Sequence, residues 1–218
     1  MQLNDVVTMF GADLQRRYGE KIHKISLHGG FNCPNRDGSL GRGGCIFCNV
    51  ASFSDEQQQQ FSIQQQIAQK VKKIHRAQRY LAYFQAYTNT YAEVSILKAL
   101  YQQALNQANI VGLCVGTQPV LDLLVEYQQQ GYEIWLELGL HTSHDKTLKK
   151  INRGHDSASY QKIAQIAGKK GLNVCVHLIV GLPGETASEN MQTISRVINT
   201  GVDGIKLHPL HIVDGSIT

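Results

Sequence analysis

Along the chain the apolar positions alternate between two spacings, and the alternation repeats. Residues Asn4–Arg17 read as an amphipathic helix, and Lys24–His28 as a short strand. Ser62-Ile-Gln-Gln65 reads as a capping box, and behind it Ile63, Ile67, Val71 and Ile74 recur at helical spacing. Leu81–Tyr87 is a strand. The segment EVSILKALYQQALNQA follows as a helix with Leu97, Leu100, Tyr101 and Ala104 on one face. Ile110–Gly116 is an apolar strand, and PVLDLLVEYQQQG a helix with proline near its start and glycine past its end. Glu133–Leu140 is a strand. Asp156 or Ser157 caps the helix ASYQKIAQIAGKKG, Asn173–Gly181 is the next strand, ASENMQTISRVINTG a helix, and Gly204–Leu210 the last strand.

Six strands result, the first five each followed by a helix. Several are apolar on both faces, as parallel strands covered on both sides are. The expected fold is α/β, a partial (βα)6 barrel with parallel strands, filling residues 1–218 as one domain. Such folds carry their chemistry at the C-terminal ends of the strands. No helix follows the sixth strand, so the expectation is either a fragment or an unusually short natural protein.

Composition narrows the class. Of 218 residues, 42% are hydrophobic and 17% charged, an ordinary globular balance. The most apolar stretch, Val174–Leu182, is broken by His177 and too short to cross a bilayer, so no membrane partner is expected. The N-terminus lacks the order of a signal peptide, and a cytoplasmic location is the default. The net charge of +4 agrees with a polyanionic partner; the basic runs Lys70–Arg79 and Lys146–His155 are read as solvated helix faces or as nucleic-acid contacts. The glutamine run Glu56–Gln66 is read as helix approach and surface.

The chemistry-bearing stretch is FNCPNRDGSLGRGGCIFCN, Phe31–Asn49, which places Cys33, Cys45 and Cys48 a few residues past the first strand. In a reducing compartment clustered thiols are metal ligands or catalytic groups rather than disulfides. A structural zinc would need a fourth ligand, for which His28 is the candidate. A thioredoxin-like pair would use Cys45 and Cys48 alone. An iron–sulfur cluster on three thiolates would keep one iron open. Spacing leaves cluster and zinc both standing. Cys114 and Cys175 lie inside strands and read as buried free thiols.

Those residues are joined by YFQAYTNTY (Tyr83–Tyr91), ELGLHTSHDKTLKKINRGHD (Glu137–Asp156), HLIVGLPGET (His177–Thr186) and GVDGIKLHPLHIVDGS (Gly201–Ser216). Together they resemble the radical S-adenosylmethionine (SAM) superfamily, and within it the YhcC/YtqA-like family with its widened C-x11-C-x2-C. The resemblance implies a 4Fe–4S cluster on Cys33, Cys45 and Cys48, with SAM chelated by the open iron and cleaved to a radical that abstracts hydrogen from substrate. It implies a flavodoxin- or ferredoxin-like reducing electron donor. It places the methionine amine at Thr88-Asn89-Thr90, the ribose hydroxyls or amine at Glu137, the SAM carboxylate at Arg153, and the adenine at Gly181 and Gly184. The competing roles are a Glu137 ion pair with Lys149 or Lys150, and a surface Arg153. His208 and His211 are candidates to face substrate. The family's link is to wobble uridine in tRNA, a base on which the Elongator catalytic subunit also acts. A small-molecule substrate, as in the oxygen-independent coproporphyrinogen oxidases, and a zinc-stabilised RNA-binding module stay open.

Three departures from the family pattern stand out. After the third strand the chain reads GTQPVLDLL, shorter than in relatives; His141 replaces a common glutamine; and the C-terminal region past HPLHIVDGS is absent. These departures fall on the substrate side of the barrel mouth and leave the cluster and SAM motifs intact.

Overall fold

The computed structural model describes residues 5–49, 56–88, 90–116 and 120–212. Six parallel strands form one sheet in chain order: β1 Ile22–Leu27, β2 Arg79–Phe84, β3 Ile110–Val115, β4 Glu133–His141, β5 Asn173–Val180 and β6 Gly204–Pro209. Helices α2 (Ile63–Val71), α3 (Val94–Leu105), α4 (Leu121–Gln129), α6 (Ser157–Lys169) and α7 (Ala187–Ile198) return the chain between strands, with α1 (Phe10–Tyr18) ahead of β1 and a short α5 (Asp145–Lys150) between β4 and α6.

The sheet curls into a half-barrel. Lys24 on β1 pairs with Glu137 on β4, and Lys206 on β6 lies over the Tyr83 ring of β2, contacts between strands that are not neighbours. One face of each strand packs on the helices: Ile25, Leu27, Ala82, Phe84, Leu113, Ile134, Leu136, Val174 and Val176 join one large core. The other face lines the lumen. There Leu14, Ile22, Leu81, Tyr83, Val111, Cys114 and Trp135 form a second cluster with Phe10 and Tyr18 of α1 packed on it.

Helix α1 therefore plugs the N-terminal end. It begins at Phe10, later than the periodicity from Asn4 suggests, because the face it buries is Phe10, Leu14 and Tyr18, while Val6 and Val7 stay exposed. Strand β2 ends at Phe84 rather than Tyr87, since Tyr87 turns to φ 58°. The capping box at Ser62 and Gln65 is formed in both directions. Asp156 caps α6 by accepting from the Ser159 N–H. Within the glutamine run, Gln66 is not surface. It is buried, accepting from the His28 N–H and donating to the carbonyls of His28, Gln58 and Phe61. Helix α5, six residues long, is too short to announce itself by periodicity.

Candidate functional site

Just beyond β1 the cysteine segment crosses the C-terminal mouth of the half-barrel. Its glycine-rich part is folded. Arg36 and Asp37 N–H groups donate to the Cys33 carbonyl, Leu40 N–H to Pro34, and Gly44 N–H to Asn35, and Asp37 pairs antiparallel with Arg42. A Cβ on Gly41 would come within 2.4 Å of Asn35 Oδ1, and one on Gly44, at φ 80°, within 2.8 Å of Arg36 Nε. These glycines are required by close approach.

Each cysteine is fixed by a different element. Thr88 Oγ1, after β2, donates to Cys33 Sγ over 3.6 Å, and Thr88 N–H donates to Asn32. Asn35 Nδ2 and Arg153 Nη1 each lie 3.6 Å from Cys45 Sγ. Arg36 holds the Cys48 carbonyl at 2.6 Å. Burial raises the Cys48 thiol pKa, opposed by Arg36. Between the two last cysteines Ile46 and Phe47 wedge into an apolar cluster of Leu148, Ile151, Ile179, Leu182 and Leu210. Thus the C-x-x-C is anchored on α5 and on the loop after β5, which contains Gly181 (φ 92°) and Gly184 (φ 85°).

The NRGHD segment docks against the cysteine segment. Asn152, at φ 53°, donates to the carbonyls of Arg42 and Gly44, and its own carbonyl accepts from Asn35 Nδ2 at 2.5 Å. Arg153 is no free surface arginine: Nη2 reaches the Gly139 carbonyl at 2.9 Å while Nε is buried without a partner. Beside it His141 sits at φ 73° next to a register shift in the β4–β5 ladder. Its ring meets Phe47 edge-on at 4.9 Å, and its buried Nδ1 has no partner. Burial, then the charge of Arg153, drives its pKa well down. A Cβ on Gly139 would lie 3.0 Å from Arg153 Nη2 and 3.1 Å from His141 Nε2. The missing side chain leaves a notch lined by Arg153 Nη2 and His141 Nε2.

Among the described residues four buried side-chain polar atoms lack partners, on Gln58, His141, Arg153 and Glu185, and all four lie at this end. All three non-glycine residues at positive φ in the described chain, Tyr87, His141 and Asn152, also lie here. Unpartnered polar atoms of both kinds, the Arg153 Nε donor and the Gln58 and Glu185 oxygens, gathered with strained backbone at the end that carries the three thiols, fit a polar ligand with a carboxylate and an amine, and so fit SAM. The zinc alternative loses its fourth ligand. His28 Nδ1 accepts from the Gly30 N–H and its Nε2 lies 3.2 Å from Gln59 Nε2.

Glu137 lies deeper, in the lumen. It pairs with Lys24 and accepts from His177 Nε2 at 2.5 Å, not with Lys149 or Lys150. Burial pushes its pKa up, but the His177 hydrogen bond and the Lys24 charge outweigh this and bring it to about 2. Both of its oxygens are engaged, so any sugar hydroxyl must share them. Thr90 is buried near the mouth, whereas Asn89 and the shortened loop at residues 117–119 lie outside the described residues. His208 faces the lumen, its ring 5.5 Å from that of His177, and His211 is exposed. Sequence reasoning missed Lys24, Tyr83, His177 and Lys206. The signal was present: a polar residue inside a strand otherwise apolar on both faces marks the lumen side.

Comparison with known proteins bears on the family and the fold. The model of the "Radical SAM superfamily" matches residues 32–197. Protein YhcC of Escherichia coli K12 is 67% identical over the whole chain, which spans 72% of that protein. YtqA of Bacillus subtilis is 38% identical over 93% of the chain and 66% of its own length. A shorter match, 30% identical over 51% of this chain and 25% of the relative, is to a tRNA uridine(34) acetyltransferase of Dehalococcoides mccartyi. Among solved structures, coproporphyrinogen III oxidase HemN of E. coli, a radical SAM enzyme, superposes with a TM-score of 0.58 at 19% identity, covering 94% of this chain and 48% of that one. TsrM of Kitasatospora setae, solved with cobalamin and a 4Fe–4S cluster bound, gives 0.54 at 14% identity over 94% of this chain and 40% of its own. No helix among the described residues is long and apolar enough to cross a membrane. The chain belongs to the radical SAM superfamily, in one family with YhcC and YtqA.

Proposed function

We propose that this chain is a radical SAM enzyme in which Cys33, Cys45 and Cys48 hold a 4Fe–4S cluster. When bound, the cluster and SAM supply a 5′-deoxyadenosyl radical by reductive cleavage of the sulfonium, with the electron delivered by a flavodoxin- or ferredoxin-like donor. The chain's own residues bind and orient. The observation that carries the reading is the convergence of three thiols with the unpartnered nitrogens of Arg153 and His141 at the barrel mouth. Arg153 suits the SAM carboxylate, because a guanidinium clamps a carboxylate through two parallel bonds. Thr88 and Thr90, with Asn89, offer acceptors to the amine. Gly181 and Gly184 let backbone approach the adenine. Glu137 reaches the sugar from below. The lumen beneath is the substrate chamber, closed at its far end by α1.

The substrate we favour is a wobble uridine of tRNA. Support comes from the partial similarity to a tRNA uridine(34) acetyltransferase and the net positive charge. A small molecule is the second reading, favoured by the plugged lumen and the HemN-like fold. Anaerobic reconstitution with iron and sulfide tests the enzyme. A brown protein that forms 5′-deoxyadenosine from SAM and a reductant is expected; a colourless protein holding one zinc sinks the reading. For the substrate, tRNA from a deletion strain should show an altered wobble-uridine profile. An unchanged profile favours the small molecule.

A further inference from the structure

Between the plugged floor and the cysteine mouth lies a layer of charge. β1, β4 and β6 send Lys24, Glu137 and Lys206 into the lumen, around the ring of Tyr83. Two ammonium groups therefore face one carboxylate. Lys24 takes one oxygen of Glu137, and His177 takes the other. Lys206 forms no ion pair or hydrogen bond with any described side chain; its contact is the Tyr83 ring, 5.2 Å from Nζ to centroid.

A partly buried ammonium with no ion pair or hydrogen bond of its own loses hydration that the Glu137 charge only partly replaces. The Tyr83 face, already shared with Lys24 at 4.8 Å, recovers only part of that loss. Burial accordingly lowers the Lys206 pKa, opposed by the Glu137 charge. A chain that needed Lys206 only as filler would meet no penalty with methionine there. His208, two residues on and so on the same face of β6, adds a ring nitrogen on the mouth side of Lys206. His177, level with Lys206 in the ladder, flanks it from β5.

We infer that Lys206, flanked by His208, receives an anionic group of the substrate, a phosphate or a carboxylate, inside the lumen. The inference rests on the radical SAM reading, which makes the lumen the substrate chamber, and it narrows the substrate to molecules carrying such a group. A phosphate belongs to a nucleotide and a carboxylate to a small organic acid; Lys206 treats them alike.

Calorimetric titration of the anaerobically reconstituted chain, with SAM present, tests it. The probes are uridine 5′-monophosphate, uridine and glutarate. Wild type should bind one of the two anions, and Lys206→Met should weaken that binding about tenfold or more. Iron content and SAM binding should stay unchanged, and the melting temperature should hold or rise. Lys206→Arg should retain most of the affinity. Loss of the nucleotide identifies a phosphate, and loss of glutarate a carboxylate. Equal affinity of wild type and Lys206→Met, or no binding of either anion by wild type, overturns the inference. The same titration on iron-free chain separates the two claims: a wild type that takes up neither iron nor SAM breaks the enzyme reading, while an anion that still depends on Lys206 keeps this one.

Discussion

The two ends of the half-barrel are built by opposite rules. At the N-terminal end no buried side-chain polar atom among the described residues lacks a partner. Arg17 donates to both oxygens of Glu133 at 2.7 Å, Tyr18 and Trp135 donate to the same carboxylate, and the Phe10 ring stands edge-on to Trp135 at 4.9 Å. At the C-terminal end the chain accepts left-handed backbone at Tyr87, His141 and Asn152, and leaves four buried polar atoms unanswered. Both ends use one sheet and one set of strands. The floor spends its side chains on stability, whereas the mouth holds strain and open hydrogen-bonding capacity in reserve for ligands. Substitutions at the floor should therefore be read in melting curves, and substitutions at the mouth in binding.

The largest expected stability loss is at the floor. Trp135→Ala should cost about 4 kcal/mol, by emptying the space between Phe10 and the lumen cluster. Denaturant unfolding checks it, and a loss under about 1 kcal/mol would mean that α1 does not seal the barrel. Next comes the middle layer. The native pKa of Glu137 is depressed from 4.5 to about 2, which at 1.36 kcal/mol per unit is about 3 kcal/mol. The sign follows: this contribution is complete above about pH 4.5 and is lost as pH falls towards the native value. Glu137→Gln should remove about 3 kcal/mol at pH 7 and flatten stability between pH 5 and 2, measured by urea unfolding across that range. A variant whose acid limb matches wild type would refute the lumen ion pair.

The mouth should respond the other way. His141→Gly relieves a left-handed non-glycine residue worth about 1 kcal/mol and removes a buried unpaired nitrogen. Its melting temperature should hold or rise by a few degrees, while SAM binding weakens about tenfold. A destabilised variant with normal SAM affinity would make the mouth another piece of floor. The smallest effect expected is at Cys114 and Cys175, lumen thiols held protonated by burial. Replacing Cys114 by alanine should change iron uptake not at all.

Much of this was legible in the sequence, for physical reasons. The alternation of periods 2 and 3.6 marks six strands with helices between them because each strand and helix must bury a face, and the structure keeps that order. Three thiols near the end of β1 announce the mouth. The lumen was harder. Lys24, Glu137, His177 and Lys206 are spread over 183 positions, from 24 to 206, and only the curl of the sheet brings them to one chamber. Arg153 and His141 were visible as residues, but the Gly139 notch between them depends on a register shift that no local pattern encodes. Likewise nothing in the spacing of Cys33 and Cys45 shows that Asn35 and Asn152 lock the segment between them.

The most direct test of the central claim is iron and sulfide content after anaerobic reconstitution, compared across single alanine variants. The account predicts that Cys33→Ala, Cys45→Ala and Cys48→Ala each lose the cluster while Cys114→Ala loads like wild type. Iron loading in Cys45→Ala equal to that in Cys114→Ala would contradict it.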